Sequence, residues 1–295
     1  MSITDADWRV IREEVLGGAS AMAYDEVAAR TAAEEGVGTV RLYQWLPACL
    51  SLGYRQPPDT VDWAFCESQG IDVVRRPTGG GGIYHDTHGD IAYSVIAPAE
   101  AVPGSLAETY ELFCEPLFDA FEQLGVPAAF ADEPAEALYE PSCYLRDIDP
   151  AHDIAVGGRK LAGNAQYRTR DAVVQHGSIS FEVGAERHLA CFADPPVDAD
   201  RFRERVTGLS DHADTERDVP LDSEHVGLTD SYNLERDRAV RVIEDSLGEW
   251  CGAIAGEEWV TDDWTEAERA AAAELAEAKY RSETWTRDRE DPTED

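Results

Sequence analysis

The segment Arg75-Arg76-Pro77-Thr78-Gly79-Gly80-Gly81-Gly82-Ile83-Tyr84-His85-Asp86 constrains this chain more than any other stretch. It follows directly on a strand-like run at 71–76. Four successive glycines carry no Cβ, so the backbone there can approach a ligand closely and turn several N–H groups toward an anion. The paired arginines can engage a carboxylate or a phosphate through forked hydrogen bonds. A P-loop is excluded, because that motif ends in Lys-Ser or Lys-Thr after its last glycine. A plain hairpin turn explains the glycines but neither the arginines before them nor the His-Asp pair after them. The block therefore reads as a cradle for a carboxyl or acyl-nucleotide group.

The periodicity on either side predicts an α+β fold, a mixed sheet with helices packed on it. A helix is expected over 19–35, ended by Gly36 to Gly38, then strands over 39–45 and 50–54, a helix over 60–68 and the strand leading into the glycines. A further pair of strands ends at Ala97. An amphipathic helix begins near Pro103 and Ser105, carries Leu106, Tyr110, Phe113, Leu117, Phe121 and Leu124, and stops at Gly125. The Pro- and acid-rich stretch 132–150 is expected to be a mobile loop, followed by a meander over 154–156, 159–168 and 172–181. Beyond 186 the pattern turns helical, with Pro and Asp clusters over 194–200 and 211–222, a helix over 264–279 and a charged tail from about 283 expected to fray. This divides the chain into a catalytic core over 1–185 and a helical portion over 186–295 packed on it. No internal repeat is present.

Lys and Arg total 25 against 60 Asp and Glu, a formal charge of −35. Such a surface repels phosphate backbones and anionic lipid headgroups, so neither nucleic acid nor membrane is an expected partner. At about 1 M salt the Debye length is roughly 3 Å and the self-repulsion is largely screened, which points to a halophile rather than an unusually acidic mesophile. The first residues hold no apolar signal region, and no run of about 18 apolar residues occurs, so a cytoplasmic protein is expected. Six cysteines without a CxxC pair argue against both a zinc site and a disulfide framework, and no metal site is expected.

The block RRPTGGGGIYHD followed by GDIAYSV, then GRKLAGNAQ at 158–166 and QHGSI at 175–179, resembles in order and separation the signature of the lipoate-protein ligase and octanoyltransferase family. RLYQWLPACLSLGYRQ near the start and LAEAKYRSETW near the end are similar to its octanoyltransferase branch, so the resemblance spans nearly the whole chain. It implies a mixed sheet of the class II aminoacyl-tRNA synthetase and biotin-ligase type, with a tunnel for a medium-length acyl chain. It also implies an enzyme that attaches an octanoyl or lipoyl group to a lysine of lipoyl-domain acceptors, such as the E2 of 2-oxoacid dehydrogenases and the glycine cleavage H protein. Biotin-protein ligases usually carry an alternating Gly-Arg-Gly-Arg loop where this chain has RRPTGGGG. A non-catalytic lipoate-binding protein would be marked by loss of the lysine, the arginines or the glycines, and none is lost.

By position, the resemblance assigns Lys160 to the acyl carbonyl, where an ammonium would stabilise a tetrahedral oxyanion. Only two lysines occur, Lys160 and Lys279, which suggests retention where an ammonium is needed. Arg76, Gly81, Gly82, Ile83 and Tyr84 match the segment that lies along the nucleotide or acyl-adenylate in ATP-using members. Arg75, Gly79 and Gly80 complete that loop. His85 and Asp86 hold it by hydrogen bonds or take part in the chemistry. His176 and Gly177 match the strand beside the tunnel, and Gly163 and Ala165 are further binding candidates. Cys143 lies seventeen residues before Lys160, close to where the transferase branch places its nucleophile, and a neighbouring ammonium favours a reactive thiolate. In that chemistry an acyl-carrier protein donates the acyl group and no cofactor is tightly bound. His152-Asp153-Ile154 is closer to the ligase version, in which free lipoate, ATP and magnesium give an acyl-adenylate and an accessory subunit is a possible requirement.

Overall fold

A computed structural model describes residues 3–212, 231–256, 259 and 261–293. The strands among them are β1 (Asp7–Leu16), β2 (Val37–Trp45), β3 (Cys49–Leu52), β4 (Asp72–Arg75), β5 (Ile83–His85), β6 (Asp90–Pro98), β7 (Ala129–Phe130), β8 (Ile154–Val156), β9 (Arg159–Arg168) and β10 (Ala172–Ser180). The α-helices are α1 (Gly18–Glu35), α2 (Trp63–Ser68), α3 (Leu106–Gln123), α4 (Ala185–Ala190), α5 (Ala199–Arg205), α6 (Ser231–Ala255) and α7 (Glu266–Leu275). The main sheet runs β1-β2-β6-β10-β9-β8-β7, antiparallel except for the parallel pair β1 and β2.

The sheet is covered on both faces, and the period of two explains how. In β6, Ile91, Tyr93, Val95 and Ala97 point into a core with Phe113, Leu117 and Phe121 of α3 and Ile243 and Leu247 of α6. Ala92 and Ile96 point the other way, toward α1. Small residues on α1, among them Ala21, Ala23 and Ala28, are fully buried and let its backbone lie close to the strands. The helix ends where Gly36 turns left-handed, with φ 77°, and its N–H reaches Ala32 O at 3.2 Å. Ser105 caps α3 by accepting from Glu108 N.

A smaller sheet, β4-β3-β5, carries the glycine block. Strand β4 pairs with one edge of β3 in parallel and β5 with the other edge antiparallel, so residues 76–82 must cross over the end of β3. Gly53, just past β3, lies under that crossing. A Cβ there would stand 1.9 Å from Gly80 O, so only glycine fits.

Two expectations need correction, and one strand had not been anticipated. The N-terminal residues form an edge strand, β1, whose charges are matched by distant partners: Arg9 pairs with Glu268 at 2.6 Å and Glu13 with Arg236 at 2.6 Å. The stretch 132–150 is packed rather than loose, with Ala135 bridging Ile148, and Tyr144 and Leu145 buried. The tail is anchored at least through Trp285 and Thr286, both buried. Of the cluster at 211–222, residues 213–222 lie outside the described residues. No helix among the described residues is long and apolar enough to cross a membrane.

Candidate active site

A cleft of about 650 Å³, part of it open to solvent, lies where the glycine turn of the small sheet faces β9 and β10 of the main one. Met22, Tyr43, Trp45 and Ile83 supply apolar wall, and Lys160, Cys143 and Arg76 stand among its charged and reactive groups.

Lys160 projects from β9 and is nearly excluded from water. Its Nζ sits 2.7 Å from Asp153 Oδ1 and donates to Cys143 O at 3.3 Å. Burial opposes the charge, but the adjoining Cys143 and Asp153 outweigh it and hold the ammonium above the usual lysine range. Lys160 is therefore a fixed cation at neutral pH. Cys143 opens a 3-10 turn, Cys143–Leu145, and is half-buried. A Cβ built on Gly163 would lie 3.3 Å from Cys143 Sγ and 3.7 Å from Lys160 Nζ. Thiol and ammonium thus face the same small space, kept empty by a glycine.

The crossing strap reaches the thiol through backbone. Gly82 N donates to Pro141 O at 2.7 Å, and Cys143 N donates to Gly82 O at 2.8 Å. Arg76 grips the same strap from inside, Nη2 donating to Gly79 O and Gly81 O, each at 2.7 Å. Its Nε donates to Thr78 Oγ1 at 3.0 Å and its Nη1 to Ser51 O at 2.8 Å and Ser51 Oγ at 3.3 Å. His176 bridges Thr78 and Asp25, and His85 bridges Ser51 and Asp90. His85 also stacks on Trp45, centroids 4.1 Å apart.

Of the residues singled out in the sequence, the cleft brings together Cys143, Lys160, Arg76, Gly79, Gly80, Ile83, His85, Gly163, Ala165, His176 and Gly177. Arg75, Gly81, Gly82, Tyr84 and Asp86 are not in its wall. Arg75 turns away, fully buried, and donates to Gly53 O, Tyr54 O, Gln56 O and Thr286 O. Burial, then the charges of Arg289 and Arg76, lower its pKa to about 10. Asp86 accepts from Tyr84 OH and from the N–H groups of His88 and Gly89, while Asp90 takes the His85 ring. Of the two arginines, Arg76 is committed to the turn and to Ser51, and Arg75 lies outside the cleft wall with its Nη2 unpartnered.

Several cleft residues were not singled out. Asp153 stood inside the His-Asp-Ile element without being assigned to Lys160. Asn164 accepts from Tyr93 OH at 2.6 Å and donates to His152 O at 2.9 Å. Behind the cleft wall, and likewise not singled out, Asp25 is fully buried and pairs with Arg41 at 2.9 Å. A carboxylate on the alanine-rich face of a helix, three residues after Met22, was the available signal. Arg146 and Asp147 also line the cleft. Among the described residues no cluster of His, Cys, Asp and Glu could hold a metal ion.

Residues 18–225 match the lipoyl protein ligase A/B catalytic domain family. Octanoyltransferase LipM of an Exiguobacterium species is 36% identical over 222 residues, 71% of this chain and 80% of that protein. Octanoyltransferase LipM of Halalkalibacterium halodurans is 30% identical over 291 residues, 94% of this chain and 98% of its own. A structure described as an archaeal lipoylation system, a bi-partite lipoate protein ligase and its E2 lipoyl domain from Thermoplasma acidophilum, superposes with a TM-score of 0.71 at 20% identity, covering 96% of each chain. That last likeness bears on the fold alone.

Proposed function

Since this chain belongs to the lipoyl protein ligase A/B catalytic domain family, we propose that it is an octanoyltransferase that works through a thioester on Cys143. The donor is an octanoyl thioester on an acyl-carrier protein, and the acceptor is a lysine of a lipoyl domain, on a 2-oxoacid dehydrogenase E2 or a glycine cleavage H protein. The observation that carries the reading is the convergence of Cys143 Sγ and Lys160 Nζ over Gly163.

In the first step the Cys143 thiolate attacks the donor carbonyl. A new C–S bond forms, the donor C–S bond breaks, and the carrier thiolate leaves and takes a proton. In the second step the acceptor ε-amine attacks the Cys143 thioester, the amide C–N bond forms, the Cys143 C–S bond breaks, and the amine proton passes to solvent or to the released thiolate. Both steps pass through an oxyanion beside Lys160, whose ammonium, already fixed by Asp153, needs no reorganisation to stabilise it. The apolar wall of Met22, Tyr43, Trp45 and Ile83 suits a saturated chain.

The engagement of both arginines with backbone carbonyls weighs against phosphate binding in the glycine turn. The ATP-dependent reading, with magnesium, lipoyl-adenylate and an accessory subunit, draws on His152 and Asp153 standing in the cleft wall. Incubating the protein in molar salt with an octanoyl thioester, and separately with lipoate, ATP and magnesium, tests the two. A hydroxylamine-sensitive octanoyl adduct that Cys143→Ser abolishes supports the transferase. Modification of a lipoyl domain only with ATP and lipoate, undiminished in Cys143→Ser, refutes it. The acidic composition supports the further reading of an enzyme that works at molar salt, in a saline cytoplasm.

A further inference from the structure

Arg76 is a buried guanidinium with no carboxylate among the described residues in direct contact. A charge in that position is costly unless compensated. Two polar chains lead from it to carboxylates: Asp25, which also pairs with Arg41, and Asp90. Arginine can only donate, so the Thr78 hydroxyl accepts from its Nε and keeps its own proton available to His176 Nε2, 2.7 Å away. His176 Nδ1 then donates to Asp25 Oδ2 at 3.0 Å. On the other side the Ser51 hydroxyl accepts from Arg76 Nη1 and meets His85 Nε2 at 2.8 Å, and His85 Nδ1 meets Asp90 Oδ2 at 2.8 Å. Two relays of the same composition, hydroxyl, imidazole and carboxylate, start from different elements: Asp25 from α1 with His176 from β10, and Asp90 from the start of β6 with His85 from β5. They converge on one guanidinium.

That guanidinium holds Gly79 O and Gly81 O, and the next residue, Gly82, exchanges backbone hydrogen bonds with the Pro141 to Cys143 segment. We infer that Arg76, oriented by the Asp25-His176-Thr78 and Asp90-His85-Ser51 relays, is a positioning residue for the nucleophile: it sets the glycine strap, and the strap sets Cys143 against Lys160. The inference rests on the Cys143 reading above. It assigns the two histidines to the support of the strap and not to proton transfer with substrate. It also explains why four glycines in a row stay ordered: three of the four are tied, Gly79 and Gly81 through Arg76 and Gly82 through the Cys143 segment.

The experiment is single-turnover acylation of the full-length protein by an octanoyl thioester, followed by intact mass, for wild type, Thr78→Val, Thr78→Ser, Arg76→Lys and the double variant Thr78→Val with Arg76→Lys. Thermal melting of each controls for folding. Thr78→Val keeps the shape and removes the hydroxyl, and it slows acylation about tenfold, while Thr78→Ser, which keeps the oxygen, returns the rate to within about threefold of wild type. In the Arg76→Lys background Thr78→Val adds less than about twofold, because the relay acts only through the arginine. The expected signature is a lower acylation rate with little change in half-saturating thioester. Acylation of Thr78→Val at the wild-type rate overturns the inference, as does an equal tenfold loss in both backgrounds. Should Arg76→Lys fail to fold, the comparison of valine with serine at 78 remains decisive. A wild-type protein that takes no octanoyl group on Cys143 removes the underlying reading and this inference together, whereas an acylated wild type with an indifferent Thr78→Val removes this inference alone.

Discussion

Lys160 Nζ and Asp153 Oδ1 are 2.7 Å apart with both side chains almost wholly out of water. A buried pair of this kind gives little net stability as a pair, yet breaking it leaves one charge stranded. Asp153→Ala is expected to lower the unfolding free energy by about 3–5 kcal/mol, which urea denaturation measures. Lys160→Ala strands the carboxylate instead, and it should slow transfer to a lipoyl domain by about 100- to 1000-fold. A soluble, folded Lys160→Ala protein that modifies the domain normally would contradict the role assigned to the ammonium.

Gly163 keeps open the space that thiol and ammonium share. Gly163→Ala would bring a methyl group to 3.3 Å from Cys143 Sγ and 3.4 Å from Lys160 Cε, where the proposed mechanism puts the reacting carbonyl. Displacement by about an ångström at a reacting centre can cost on the order of 100-fold, so a fall of at least about tenfold in the acylation rate is expected. The melting curve should change little. An unaltered rate would show that the carbonyl binds elsewhere.

Burial, with the nearby His85 a lesser cause, pushes the His188 imidazole down to about 3. The sign follows from proton counting. Below about pH 6.5 the unfolded chain binds a proton that the folded chain refuses, so stability falls as pH drops from there toward 3, by about 1.4 kcal/mol per unit. His176, lowered by burial against the opposing pull of Asp25, acts in the same direction. Denaturation at several pH values between about 4.5 and 7 should give that slope, and His188→Gln should flatten it. An identical slope in the variant would exclude His188 as a source.

Trp285 locks the C-terminal segment to β4: its Nε1 donates to Arg75 O at 2.8 Å, and Thr286 O accepts from Arg75 Nε at 2.9 Å. Trp285→Ala is expected to cost about 3–5 kcal/mol by denaturant titration, from lost packing. Acylation per folded molecule should fall far less than in the Thr78→Val protein, because Arg75 faces away from the cleft. A loss of activity as large as that of Thr78→Val would mean that the tail acts on the strap.

With 60 acidic residues against 25 basic ones, added KCl should raise the melting temperature until screening saturates near about 1 M. A melting point independent of salt would argue against adaptation to a saline cytoplasm.

The architecture was largely readable where strands alternate or run apolar after a glycine, as in β6 and β9. Strand β1 was not, because Asp-Trp-Arg-Val-Ile-Arg-Glu-Glu looks like a solvated segment until Glu268 and Arg236, more than two hundred residues away in sequence, supply the opposite charges. Motif order located the cleft, but it gave both arginines of the pair the same job. Adjacent residues at a strand end point to opposite sides, so one of Arg75 and Arg76 had to face away. The relays were out of reach for a different reason: each joins elements distant in the chain, and a buried Asp25 or a Ser51 carries no local mark of its partner.

The glycine strap also acts as a ruler. It spans two inter-strand gaps, roughly 10 Å, from one side of β3 to the other. In a pleated strand one step exchanges inside for outside, so a slip of β5 by one residue would make His85 trade places with Tyr84. The ties that fix Gly79, Gly81 and Gly82 are therefore also what hold an imidazole, and not a phenol, beneath the turn.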